Sequence, residues 1–422
     1  MSKRFVRPII TAAIVLLAPA QVAAQIDSAL AQRFFGEARA FCEADGGRMW
    51  GVSLCGPMVF ADARTGLIAT NQAPPPPEVQ RPRALGYANA AMAWGETRWS
   101  TFVWPAIPRD DAERRGRLLV HELFHRVQPD LGLFIASAPG LPDHLDTPDG
   151  RYWMQLEWRA LSRALERAGD APRQAIGDAL SFRQQRRRLA PASAEIERIN
   201  EINEGLAQFT ATVVVAGSSQ AAHTDAIEQL QAAPDQESFV RTFAYPSGAA
   251  YGILLDSFAP GWTHRLTAKD DLGDLLMRAS GTRPAADPDA AAERYGGTML
   301  RAAEQQRESK RQARIASLRA AFVDGPLVRL PRGSGASFVT LGVTPLPGEG
   351  TVYRQYRVSG PWGRLEAGQV LVSADGTVLT VRGPAKVVGG VATGDEWTLT
   401  IAEGWTLRAG ARQGDFVLVQ GT

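Results

Sequence analysis

Near Asp324 the hydrophobic pattern of this chain changes its period, and that change limits what can fold on either side of it. Before it, apolar residues recur at helical spacing, as in Trp153, Met154, Leu161 and Leu165 of a helix expected over 153–168. Further helices are expected over 196–215, 247–258 and 272–279. A long basic helix over 301–322 has Ile315, Leu318 and Phe322 as its apolar side and a solvated charged face. After Asp324, short alternating runs take over: Phe338-Val339-Thr340-Leu341, Val370-Leu371-Val372 and Phe416-Val417-Leu418-Val419. Asp375-Gly376 signals a hairpin between two such runs, because both central turn positions favour positive φ. A chain of 422 residues has room for two domains. The expectation is an α+β protein with a predominantly helical domain over 25–324 and a small β-rich domain over 325–422.

The N-terminus carries the features of an export signal. Lys3, Arg4 and Arg7 precede a short apolar stretch over 9–18, bracketed by Pro8 and Pro19. Val22 and Ala24 are the small residues a signal peptidase requires, which puts cleavage after Ala24. The apolar stretch falls short of the roughly 20 residues a spanning helix needs, and no later segment reads as a membrane span. Periplasmic or secreted protein is the expected product. Cys42 and Cys55 are the two cysteines. In an oxidising compartment they can close a loop around Gly46-Gly47, worth about 3 kcal/mol through the unfolded state. A net charge of +2, from 46 basic and 44 acidic groups, gives no electrostatic case for nucleic acid.

Of five histidines, two stand four apart, in His121-Glu122-Leu123-Phe124-His125. The run Arg98-Trp99-Ser100-Thr101-Phe102-Val103-Trp104 before them is rich in β-forming residues and ends at Pro105, as a strand would. Pro74 to Pro77 reads as an extended surface connection. Asp110 with Glu113 makes a capping box for a helix that carries both histidines and stops near Pro129. Histidines at i and i+4 project from one helix face, so two ring nitrogens can converge on one ion. A bound metal lowers the pKa of water towards about 7, and a glutamate beside the first ligand can then take its proton. The pattern is that of a zinc hydrolase, with one Zn2+ per chain and Glu122 as general base.

A catalytic zinc keeps three protein ligands and an open position. Gln128 and Leu131 stand where a metzincin has glycine and histidine, so that class is excluded. Asn203-Glu204-Gly205-Leu206-Ala207-Gln208-Phe209 resembles the second motif of the gluzincin metallopeptidases, in which such a helix supplies the third ligand. The resemblance implies that Glu204 binds zinc beside His121 and His125, with Asn203 as local support. It also implies a thermolysin-like core and a peptide or protein substrate, aligned by strand addition to 98–104. Glu157, on an apolar helix face, is the alternative third ligand, or else a salt-bridge partner of Arg183 or Arg187. Tyr245 and Tyr251 flank a Pro246-Ser247-Gly248 turn, and Tyr251 is the candidate donor to an oxyanion. His144, His223 and His264 read as exposed loop histidines. Two rivals remain: a metal-dependent amidase acting on a non-peptide or cell-wall substrate, and a binding protein with a decayed metal site.

Overall fold

A computed structural model of the chain describes residues 26–63, 65–72, 88–94, 96–136, 140–166, 171–383 and 385–421. The export signal over 1–24 and the run Pro74 to Pro77 lie outside the described residues. The protein is α+β, with helices dominating the first part and strands the second.

Helix α1 (Ser28–Asp45) is capped by Asp27, whose side chain accepts from Leu30 N at 3.0 Å. A four-stranded sheet follows, made of β1 (Met58–Asp62), β2 (Leu67–Thr70), β3 (Ala90–Trp94) and β4 (Thr97–Val103) in the order β2-β1-β4-β3. The strand expected over 98–104 is β4, but it lies inside the sheet, parallel to β1 and antiparallel to β3. With both its backbone edges paired, β4 cannot add a substrate strand. That expectation is corrected: among the described residues the sheet's edges are β2 and β3.

Helix α2 (Ala112–Val127) packs on this sheet and buries Leu119, Val120, Leu123 and Phe124 in the apolar core, each almost fully buried and worth roughly 1.5–3 kcal/mol in transfer free energy. Its cap is Asp111, which accepts from Arg114 N at 2.8 Å, and not the expected Asp110. Glu113 therefore falls one position early for a capping box and pairs with Arg117 instead.

Helices α3 (Pro148–Leu165), α4 (Ala171–Leu189), α5 (Ala194–Asn200), α6 (Leu206–Ala216), α7 (Ser219–Ala232), α8 (Ala244–Phe258), α9 (Leu272–Ser280), α10 (Pro288–Glu293) and α11 (Gly297–Arg319) complete this part around one apolar core. The helix expected over 196–215 is interrupted: α5 and α6 are joined by a π-helical turn, Glu201–Gly205. Pro246-Ser247-Gly248 is no turn and lies in the first turns of α8.

Strands β5 (Leu327–Pro331), β6 (Ser334–Leu346), β7 (Gly350–Gly360), β8 (Gly363–Ser373), β9 (Val378–Arg382), β10 (Lys386–Val388), β11 (Val391–Gly394), β12 (Trp397–Ile401), β13 (Trp405–Ala409) and β14 (Phe416–Gln420) form a ten-stranded sheet with its own core. The expected hairpin joins β8 to β9. Its turn differs from expectation: Gly376 N donates to Ser373 O at 2.8 Å, so Ala374 and Asp375 are central and only Gly376 takes a positive φ of 71°. Ile315, Leu318 and Phe322, the expected apolar side of the basic helix, pack against Leu346, Val352 and Leu371 of this sheet.

Candidate metal centre

The last turns of α2 are braced on two sides. Ser100 Oγ, from β4, donates to the Glu122 carbonyl at 2.9 Å. On the other side Arg126 donates to the carbonyls of Leu54 and Cys55 at 3.2 and 2.9 Å. Cys55 is disulfide-bonded to Cys42 of α1, as the cysteine count implied. The histidine-bearing turns are thus fixed against both the sheet and the disulfide loop.

Across from them runs the π-helical turn Glu201–Gly205. A π turn inserts one residue into a helix, which rotates the side chains that follow and leaves backbone carbonyls open to other donors. Its close approach to α8 depends on two glycines. A Cβ on Gly248 would lie 2.2 Å from Gly205 Cα, so no larger residue fits there. That contact sets Tyr245, one turn earlier on α8, flat against the His121 ring at 5.5 Å between centroids.

The ligand atoms converge. His121 Nε2 and His125 Nε2 are 3.0 Å apart, and Glu204 Oε2 lies 3.3 and 3.5 Å from them. Two atoms each about 2.05 Å from a tetrahedral ion would be roughly 3.3 Å apart, so the triangle has the size of a zinc face. Among the described residues this is the one group of three or more His, Cys, Asp or Glu side chains close enough to share an ion. Glu122 stands beside it, 5% exposed, with one buried carboxylate oxygen that has no hydrogen-bond partner. An unpartnered carboxylate oxygen next to three ligand atoms is the arrangement a cation and its water would satisfy.

Electrostatics separate the two glutamates. Burial pushes the Glu122 carboxyl up to about 7, against the pull of His125. Burial would raise Glu204 too, but hydrogen bonds from His121 and His125 outweigh it and hold that carboxyl well below its ordinary range. Glu204 is therefore a ready anion. His121 is held below its usual value by burial, which favours the neutral imidazole a metal needs. Burial, then the Glu204 charge, keep the Tyr245 hydroxyl protonated.

Other expected residues lie elsewhere. Glu157 is fully buried, but its oxygens are taken by Arg183 at 3.3 Å, by Arg186 and by Tyr251 Oη at 2.7 Å. As the alternative third ligand it is corrected to a salt-bridge partner. Tyr251, 0% exposed and bonded to Glu157, is corrected as the oxyanion donor; the tyrosine at the ligands is Tyr245. His144 and His223 are not exposed: His144 Nε2 donates to Glu197 at 2.8 Å, and His223 Nδ1 donates to Ser219 O at 2.7 Å. His264 is exposed. Two glutamines that drew no functional reading from the sequence touch the ligands: Gln128 bonds His125 at 2.8 Å, and Gln208 bonds His121. Gln128 was legible in principle, since i and i+3 share a helix face.

Among the described residues no helix is long and apolar enough to cross a membrane. Comparison with protein-family models, with curated proteins and with solved structures finds no match to this chain.

Proposed function

We propose that this chain is an exported zinc metallopeptidase of gluzincin type, with a thermolysin-like core and one zinc held by His121, His125 and Glu204. The observation that carries the reading is the convergence of these three ligand atoms within 3.5 Å beside the unpartnered Glu122 oxygen. Two imidazoles and one carboxylate are a donor set that suits zinc and leaves an open fourth position. When bound, zinc acts as a Lewis acid and lowers the pKa of water towards about 7. Glu122, buried and near neutrality in its own pKa, takes the proton of the attacking water and hands it to the leaving amine. The Tyr245 hydroxyl, protonated and hydrogen-bonded to Glu204 while its ring stacks on His121, would turn to donate to the oxyanion that develops on the substrate. Strand β3, an edge of the sheet among the described residues, would align an extended peptide by strand addition.

The test uses the chain from Gln25 onward. It should hold about one zinc, and Glu122→Gln should keep the metal while kcat on a peptide library falls by about 10²–10⁴. Intact turnover in Glu122→Gln would sink the mechanism. Cleavage confined to non-peptide or cell-wall amides would keep the chemistry and replace the substrate.

A further inference from the structure

Gln128 follows α2 immediately, three residues beyond His125, and is fully buried. The two ends of its amide meet different elements. Nε2 donates to the carbonyls of Ile202 and Asn203 at 2.8 and 3.1 Å, both within the turn that carries Glu204. Those two acceptors fix the amide, because turning it over would set Oε1 against two carbonyl oxygens. Oε1 therefore faces His125 Nδ1, at 2.8 Å, and accepts its proton. With its Nδ1 hydrogen held by Gln128, His125 can release only the hydrogen on Nε2, which donates to Glu204 in the metal-free protein and whose loss bares the lone pair a metal takes.

We infer that Gln128 is a positioning residue that sets the His125 tautomer and, through the carbonyls of Ile202 and Asn203, holds the Glu204 turn against α2. The inference rests on the reading of His121, His125 and Glu204 as zinc ligands. It ties Gln128 to the π-helical turn, since both carbonyls that Nε2 meets belong to it. It also accounts for an amide at this position. A carboxylate would orient His125 equally well, but it would bury a third negative charge beside Glu122 and Glu204 and face two carbonyls.

The test compares the wild type with Gln128→Met, which keeps the volume and loses the hydrogen bonds at both ends of the amide. Zinc affinity is read by competition with a chromophoric chelator at pH 8. The His125 tautomer is read by NMR of ¹⁵N-histidine-labelled, chelator-treated protein titrated upward in pH until the ring is neutral, with far-UV circular dichroism as the check on folding. Zinc should bind about 10–100-fold more weakly, and His125 should pass from Nδ1–H to a mixture of tautomers. An affinity within roughly threefold of wild type, or an unmoved tautomer, overturns the role of Gln128. A wild type that binds no zinc overturns the ligand reading itself, and this role with it. If Gln128→Met does not fold, Gln128→Glu replaces it. It keeps the acceptor for Nδ1 and loses the tether, so it should retain the tautomer and still weaken zinc, and wild-type affinity there overturns the tether.

Discussion

The π-helical turn Glu201–Gly205 feeds two buried clusters of carboxylates, and the clusters are compensated in opposite ways. Glu201 points into a cluster with Glu157, Glu197 and Asp271, where Arg183, Arg186 and Arg187 supply the positive charge. Tyr251 and His144 add hydrogen bonds at its margins. Glu204 points the other way, to Glu122 and two imidazoles, and among the described residues neither glutamate is paired with an arginine or lysine. Burying a charge is costly unless a partner is supplied. The first cluster carries its arginines in the chain; in the second Glu204 has two imidazoles, Glu122 keeps an oxygen without a partner, and on the proposed reading a cation supplies the rest. One turn of helix thus holds an anion paired with arginine and, three residues on, the proposed ligand.

The comparison breaks most sharply at Glu157. Replacing it with alanine leaves Arg183 and Arg186 facing each other without a shared anion, which should cost about 3–5 kcal/mol in urea unfolding. Zinc bound per folded chain should stay at the wild-type level. Loss of zinc with little loss of stability would mean that the roles of the two clusters are exchanged.

Zinc itself should act on one cluster alone. At a thousandfold excess over its Kd it should stabilise the wild type by about 4 kcal/mol, because the ion binds only the folded state. Glu204→Ala should abolish most of that gain and also lower the stability of the metal-free protein at pH 7, since the anion that His121 and His125 hold by hydrogen bonds is gone. Equal zinc stabilisation in Glu204→Ala would remove Glu204 from the ligand set.

The two clusters were unequally legible in the sequence. His121, Glu122, His125 and Glu204 are two short local patterns, and local spacing is what a sequence displays directly. The arginine cluster was half hidden. Arg183 and Arg187 are legible as possible partners of Glu157, but nothing in Arg183-Gln184-Gln185-Arg186-Arg187-Arg188 marks Arg186, which is fully buried. Tyr245 and Tyr251 lie six residues apart on α8, about 120° apart around it. Which of them faces the ligands depends on how α8 packs on the Glu201–Gly205 turn, where Gly248 meets Gly205, and that packing is long-range. The interior place of β4 was equally hidden, because its parallel pairing with β1 spans a connection whose length says nothing of strand order.

The smallest effect distinguishes the clusters by acid. Burial would raise the Asp271 carboxyl, but the charges of Arg183 and Arg187 outweigh it and hold that group well below its ordinary 3.8. Its oxygens also cap α9 through Gly273 N and Asp274 N at 2.9 and 3.1 Å. Because the folded-state value is the depressed one, Asp271 contributes stability above pH ~4 and loses it as the pH falls below that towards the folded value. Asp271→Asn should therefore cost about 2 kcal/mol at pH 7, and the gap from wild type should close progressively below pH ~4. Glu122 has the opposite sign: burial raises it to about 7, so in the metal-free protein its stabilising proton is held below the unfolded value near 4.5 and lost as the pH rises through 7. Urea midpoints of the chelator-treated wild type, Asp271→Asn and Glu122→Gln from pH 3 to 8 read both limbs at once. If the two variants diverged from wild type over the same pH range, compensation by arginine and compensation by a bound cation would no longer be distinct in this molecule.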